Sequence, residues 1–276
     1  MMILYFLREL KDRFVGDHLF DSAAQLAYYF LMSLFPFLFV AFTFLGYLPV
    51  SSFEILEMVK PYAPANTYEL ISSNLTVVLD EQRGDILSVG IFVTIYLASA
   101  AFQSMIRILN KVYQVKQNRP FWKSMVIGIV LMFGLLLALV ISLILPVFGK
   151  IIGDFVASFF GLTNWFHAIW SWIRWLLSSL VILAVFILLY KYAPNTKVRM
   201  IQAIPGALFT TLGWQLSSLG FSYYVSFNDY TLIYGNLGGL IILVVWFYLS
   251  ALILIIGGVL NATLCHFDII IGRRPS

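Results

Sequence analysis

Between Ser22 and Leu48 the chain carries no ionisable side chain except Tyr28 and Tyr29. As a helix rising about 1.5 Å per residue, this run reaches about 40 Å, enough to cross a hydrocarbon core of about 30 Å with some tilt. The run is not uniformly apolar. Gln25, Tyr29 and Ser33 recur every four residues and share one helix face, and Pro36 removes a backbone donor just beyond them. Lipid cannot satisfy such a face, so a membrane helix turns it towards protein or water. The stretch therefore predicts an integral membrane bundle with something polar inside it.

Composition points the same way. Charged residues make up 11% of the chain and mean hydropathy is +0.93, whereas soluble domains carry about 25% charged residues. A lone cysteine, Cys265, excludes an internal disulfide and a cysteine-rich metal centre. His18, His167 and His266 lie far apart without spaced partners, so neither a metal nor another cofactor is expected. Met1 to Leu7 is too short for a signal core and leads straight into Arg8-Glu9-Leu10-Lys11, so no cleavable signal is expected.

Taken in order, the chain predicts an all-α, polytopic membrane protein: one integral domain over 1–276 with six transmembrane helices and short amphipathic interfacial helices. Residues 1–20 form an amphipathic arm, with Ile3, Phe6, Leu7, Leu10 and Phe14 on one side and Arg8, Lys11 and Arg13 among the polar positions. The spans fall at about 22–48, 86–109, 122–148, 172–192, 201–225 and 237–261. Ser51 and Asn66 each precede a glutamate by three positions, the mark of a helix start, so the connection after the first span holds two surface helices broken by Pro61 and Pro64. Residues 149–170 alternate small and aromatic side chains, as an interfacial segment would.

Six crossings put both termini on one side. Thirteen of the 17 Lys and Arg fall on the arm, the second and fourth connections and the tail; the other four are Lys60, Arg83, Lys150 and Arg174. The positive-inside rule then predicts a cell-membrane, multi-pass protein with both ends in the cytoplasm. Topology accounts for the basic charge, and no nucleic-acid partner is expected.

The polar faces carry the chemistry. Ser99, Gln103, Arg107 and Asn110 share a face of the second span, and Gln215, Ser218 and Ser222 recur at helical spacing in the fifth. If these faces converge with that of the first span, Gln25, Tyr29, Ser33, Pro36, Ser99, Gln103, Arg107 and Gln215 line a cavity open to the cytoplasm. Against this stands the ordinary alternative, in which each polar group bonds a neighbouring helix for about 0.6 kcal/mol. Asp229, Tyr234, Gly235 and Gly238 are placed to form a gate on the opposite side, although a tight turn explains the glycines about as well. Gly257 and Gly258 read as close helix packing. No Walker-type loop, HExxH, CxxC or nucleophile with a basic partner is present, and no Asp or Glu falls in the middle of a span.

Several motifs together resemble the YihY/virulence factor BrkB family of bacterial inner-membrane proteins, over about residues 10 to 265. They are the block from Asp21 to Pro36, Arg107 to Tyr113 (RILNKVY), Tyr192 to Asn195 (YAPN), Ile204 to Ala207 (IPGA), Tyr234 to Ala251, and Gly257 to Ala262 (GGVLNA). The resemblance implies six membrane helices, an envelope role and a lipid or envelope-precursor carrier. It also brings a ribonuclease label, which no residue here supports, since nothing would hold two metals or a general base on RNA. The leading expectation is a non-enzymatic transporter or lipid translocase, with membrane lipids and an amphiphilic solute as partners. A non-transporting envelope scaffold is the alternative, under which Gln103 and Gln215 merely join helices.

Overall fold

Without water, an uncharged run of this length satisfies its backbone N–H and C=O groups by coiling into a helix. A computed structural model describes residues 19–45, 84–116, 118–160, 164–227 and 237–270. Among them are six helices and no strand: α1 (Leu19–Leu45), α2 (Gly84–Val112), α3 (Phe121–Phe160), α4 (Asn164–Tyr192), α5 (Met200–Phe227) and α6 (Gly238–Ile270). Three stretches within them, Val89–Val112, Trp165–Tyr192 and Gly238–His266, are long and apolar enough to cross a membrane. The amino-terminal arm, the surface helices expected before residue 84, and Asp229, Tyr234 and Gly235 lie outside the described residues.

Residues 149–170 are helical on both sides of residues 161–163, since α3 runs on to Phe160 and α4 begins at Asn164. Gly161 and Asn164 are the sequence signals nearest these two ends, and α3 continues past the earlier breaker Pro146. The two helices meet closely: a Cβ placed on Gly153 would overlap the Trp170 indole. Arg174 lies inside the Trp165–Tyr192 stretch, as it does in the span expected at 172–192.

Contacts divide the chain into two units, residues 1–28 with 101–276, and residues 29–100. In the first, α3 packs on α4, α4 on α5 and α5 on α6. Its core gathers where Ile106, Leu109, Val112, Leu189, Tyr190, Ala203, Ala207, Ile255 and Val259 are buried. Leu109 of α2 lies against Gly258 of α6, where any Cβ would meet its side chain. Leu19, Ala23 and Leu26, spaced for one face, are buried at the start of α1. Away from this core, Leu176, Leu180, Leu212, Leu216 and Leu219 are exposed, as lipid-facing positions would be. In the second unit, the described helical segments are the rest of α1 and the first part of α2. There Ser33 donates to the Phe30 carbonyl at 3.0 Å and Thr94 to the Gly90 carbonyl at 2.8 Å, so both hydroxyls bond their own helix.

The end of α2 is a two-bond cap. Gln114 N–H donates to Lys111 O at 3.0 Å and Val115 N–H to Asn110 O at 2.9 Å, with Gln114 left-handed at φ 53°. Glycine is the usual residue there because it has no Cβ to strain. Gln114→Gly should therefore stabilise the protein by about 0.5–1 kcal/mol, or about 1–4 °C in Tm, read by thermal unfolding in detergent.

Candidate functional site

Polar contacts between helices of the first unit fall at two levels. The first lies in the core, where backbones approach closely. Tyr190 of α4 is fully buried, and its phenol donates to the Leu254 carbonyl of α6 at 2.7 Å. That uses its one proton, so Thr210 Oγ1 of α5, 2.6 Å away, donates to the phenol oxygen. Pro205 lacks an N–H for the α5 ladder, and the next one, Gly206 N–H, donates to Asn261 Oδ1 of α6 at 2.7 Å. Asn261 Nδ2 in turn donates to the Ala203 carbonyl at 3.1 Å. A Cβ on Gly257 would overlap Thr210 Oγ1, Tyr190 OH and Gly206 O together. This junction joins α4, α5 and α6 without leaving room for a ligand.

Two connections close over the same end. Asn195 N–H donates to Asn110 Oδ1 at 2.6 Å, and Asn195 Nδ2 donates to the Lys116 carbonyl at 2.8 Å. Arg119 donates to the carbonyls of Tyr192, Ala193 and Pro194 at 3.1, 3.3 and 2.7 Å. A cation on these carbonyls complements the negative end of the α4 dipole. Burial lowers the Arg119 pKa, yet an arginine stays charged. Gln202 Oε1 accepts from Arg199 N–H at 3.1 Å, the reciprocal half of a capping box at the start of α5. Burial first, and then the nearby Cys265 and Tyr190, push the Tyr113 phenol far above its usual range, so it stays neutral. Arg119→Leu would leave three carbonyls without their donor and should cost about 1.5–3 kcal/mol, measured as a loss of Tm in detergent.

The second level lies at mid-helix. Gln215 is the sixteenth residue of α5 and Ser179 the sixteenth of α4, which puts each about 22 Å from its helix start. Gln215 Nε2 donates to Ser179 Oγ at 2.8 Å, and Ser179 Oγ donates to the Trp175 carbonyl at 2.9 Å. Within one turn of this pair, the hydroxyls of Ser178 and Ser218 are buried with no hydrogen-bond partner. Trp214 Nε1 donates to Ser250 Oγ of α6 at 3.2 Å, and its ring meets Trp246 at 6.0 Å between centroids. A buried hydroxyl left unbonded costs about 1–3 kcal/mol, so two of them at one level make this the candidate site. It offers hydroxyl and amide groups about halfway along α4 and α5.

The other sequence-derived residues are distributed as follows. Gln25 and Arg107 are exposed and Gln103 is half-buried, while Ser99 and Asn110 are buried. The α2 set therefore straddles the edge of the buried arc: Ser99 and Asn110 lie inside it, Gln103 at its border and Arg107 outside. Tyr29, Ser33 and Pro36, half-buried, belong with Ser99 to the second unit. Gly238 is buried at the start of α6. Ser178, Ser179, Tyr190, Thr210, Asn261 and Arg119 were not singled out by the sequence. Their signal was at most a serine pair in an apolar run and the motif segments YAPN, IPGA and GGVLNA. Among the described residues, no group of three or more His, Cys, Asp or Glu is placed to hold a metal ion.

The family model described as Virulence factor BrkB matches residues 10–268. A Bacillus subtilis (strain 168) relative named as a ribonuclease-like protein, YfkH, is 41% identical over 94% of both chains. A UPF0761 membrane protein of Aliivibrio fischeri (strain ATCC 700601 / ES114) is 30% identical over 95% of this chain and 84% of its own. Another, from Aeromonas salmonicida (strain A449), is 28% identical over 96% of this chain and 90% of its own. No solved structure matches the chain.

Proposed function

This chain belongs to the virulence factor BrkB family of membrane proteins, and from that premise we propose that it is a transporter or lipid translocase acting on an amphiphilic solute. Its helices cross the cell membrane six times, with both termini in the cytoplasm where the basic connections gather. It works without a cofactor and without enzymatic turnover; the ribonuclease-like wording belongs to the Bacillus relative. The mid-helix pair Gln215–Ser179, flanked by the unbonded hydroxyls of Ser178 and Ser218, supports this reading most. Polar groups at membrane depth mark a solute path more often than a lipid-facing surface, because hydrocarbon offers them no partner. Proteoliposomes holding the full chain, compared with empty vesicles, test the reading by dithionite quenching of a fluorescent short-chain phospholipid. Protein-dependent movement of the probe between leaflets is expected, and rates equal to those of empty vesicles contradict it.

The scaffold reading draws on a different observation, the ligand-free junction of Tyr190, Thr210, Gly206, Gly257 and Asn261. Under it the mid-helix groups only join α4 to α5, and Gln215→Leu is silent in every assay but stability.

A further inference from the structure

Two connections at one end of the first unit are bonded to each other, and both are basic. Arg119 reaches the carbonyls of residues 192–194, and Asn195 returns to the Lys116 carbonyl. These bonds bring Lys116, Arg119 and Lys123 to the same end surface as Lys191, Lys197 and Arg199. Arg119 is turned inward onto its carbonyls, and the Lys191 ammonium stands 5.0 Å from the Tyr192 ring centroid. Lys116, Lys123 and Lys197 are exposed. Behind the surface, Asn110 Nδ2 is buried with no hydrogen-bond partner, although the same side chain anchors Asn195.

Orientation in a membrane requires basic residues on one side but does not require their loops to be bonded together. Cations held close repel one another unless an anion sits between them. We propose that the surface carrying Lys116, Lys123 and Lys197 binds the phosphate of anionic phospholipid headgroups in the surrounding leaflet. A lipid source fits better than free phosphate, because Lys116 and Lys197 follow the ends of Val89–Val112 and Trp165–Tyr192, two stretches able to cross a membrane, and Lys123 stands in the first turn of α3. Headgroups lie at that level, and each lysine or arginine near an anionic surface strengthens binding about fivefold. The site stands whether or not the protein moves a solute.

Thermal unfolding of the full chain in dodecyl maltoside at low salt tests this, with dioctanoyl phosphatidylglycerol, dioctanoyl phosphatidylcholine or inorganic phosphate at equal concentration. Phosphatidylglycerol should raise Tm by several degrees, and the other two should not. Lys116→Gln, Lys123→Gln and Lys197→Gln together should keep the lipid-free Tm and weaken phosphatidylglycerol binding about a hundredfold. Arginine at the same three positions should keep the binding. The proposal is overturned if the shift survives the glutamine triple or if phosphatidylcholine matches it. An equal shift with inorganic phosphate assigns the surface to free phosphate and overturns the lipid source.

Discussion

Gly257→Leu should yield almost no monodisperse protein. Position 257 is enclosed by Thr210 Oγ1, Tyr190 OH and the Gly206 carbonyl, and a single Cβ already overlaps all three. Two of these neighbours cannot move cheaply. The Gly206 oxygen is backbone, and Tyr190 is fixed by bonds to Thr210 and Leu254. Overpacking a filled interior costs about 1–3 kcal/mol even where side chains can yield, and here it would also break the buried bonds of a phenol and a hydroxyl. A loss of at least about 4 kcal/mol is expected, beyond the usual range for a point change. Gly134, Gly220 and Gly239 serve as controls, because nothing lies within 4 Å of a Cβ added there. Alanine at any of them should be neutral or slightly stabilising, by up to about 1 kcal/mol from helix propensity. Size-exclusion profiles and Tm in detergent separate the two outcomes. A well-folded Gly257→Leu variant would mean that α5 and α6 do not meet as described.

The helices themselves were legible because charge-free runs of this length leave the backbone few alternatives. The continuation of α3 to Phe160 was not legible, because Pro146 and Gly149 are themselves stop signals that the helix passes through. The Gly206–Gly257–Asn261 junction could not be read locally, since its partners lie about fifty residues apart and a glycine pair looks the same in any close packing. Gln215 stood out as an amide in an apolar run, but Ser179 did not, because a helical serine commonly bonds its own backbone, as Ser179 also does with Trp175. Arg119 was counted for topology, and its cap on the Tyr192–Pro194 carbonyls exists only once the two connections meet.

The mid-helix hydroxyls lead to the second large effect. If Ser178 and Ser218 merely glued helices they would have partners, and losing them would weaken the fold. Both are buried and unbonded instead. Exchanging each hydroxyl for hydrogen removes an unmet bonding requirement, so Ser178→Ala with Ser218→Ala should stabilise by about 1 kcal/mol per site. A solute that bonds these hydroxyls in transit would lose them, and movement of the phospholipid probe should fall at least about tenfold, equivalent to about 1.4 kcal/mol in the barrier. Gain of stability with loss of activity is the signature of a site that holds polar groups for a ligand. Gln215→Leu should slow the probe similarly but lower Tm, because the bond from Gln215 to Ser179 that joins α5 to α4 is then lost.

The most direct test is that double serine variant, followed in one preparation by thermal unfolding and by probe movement in proteoliposomes. A polar site built for a passing solute predicts a higher Tm together with a rate at least about tenfold lower. A lower Tm with an unchanged rate would show that the hydroxyls only hold α4 and α5 in place, and would leave the scaffold standing.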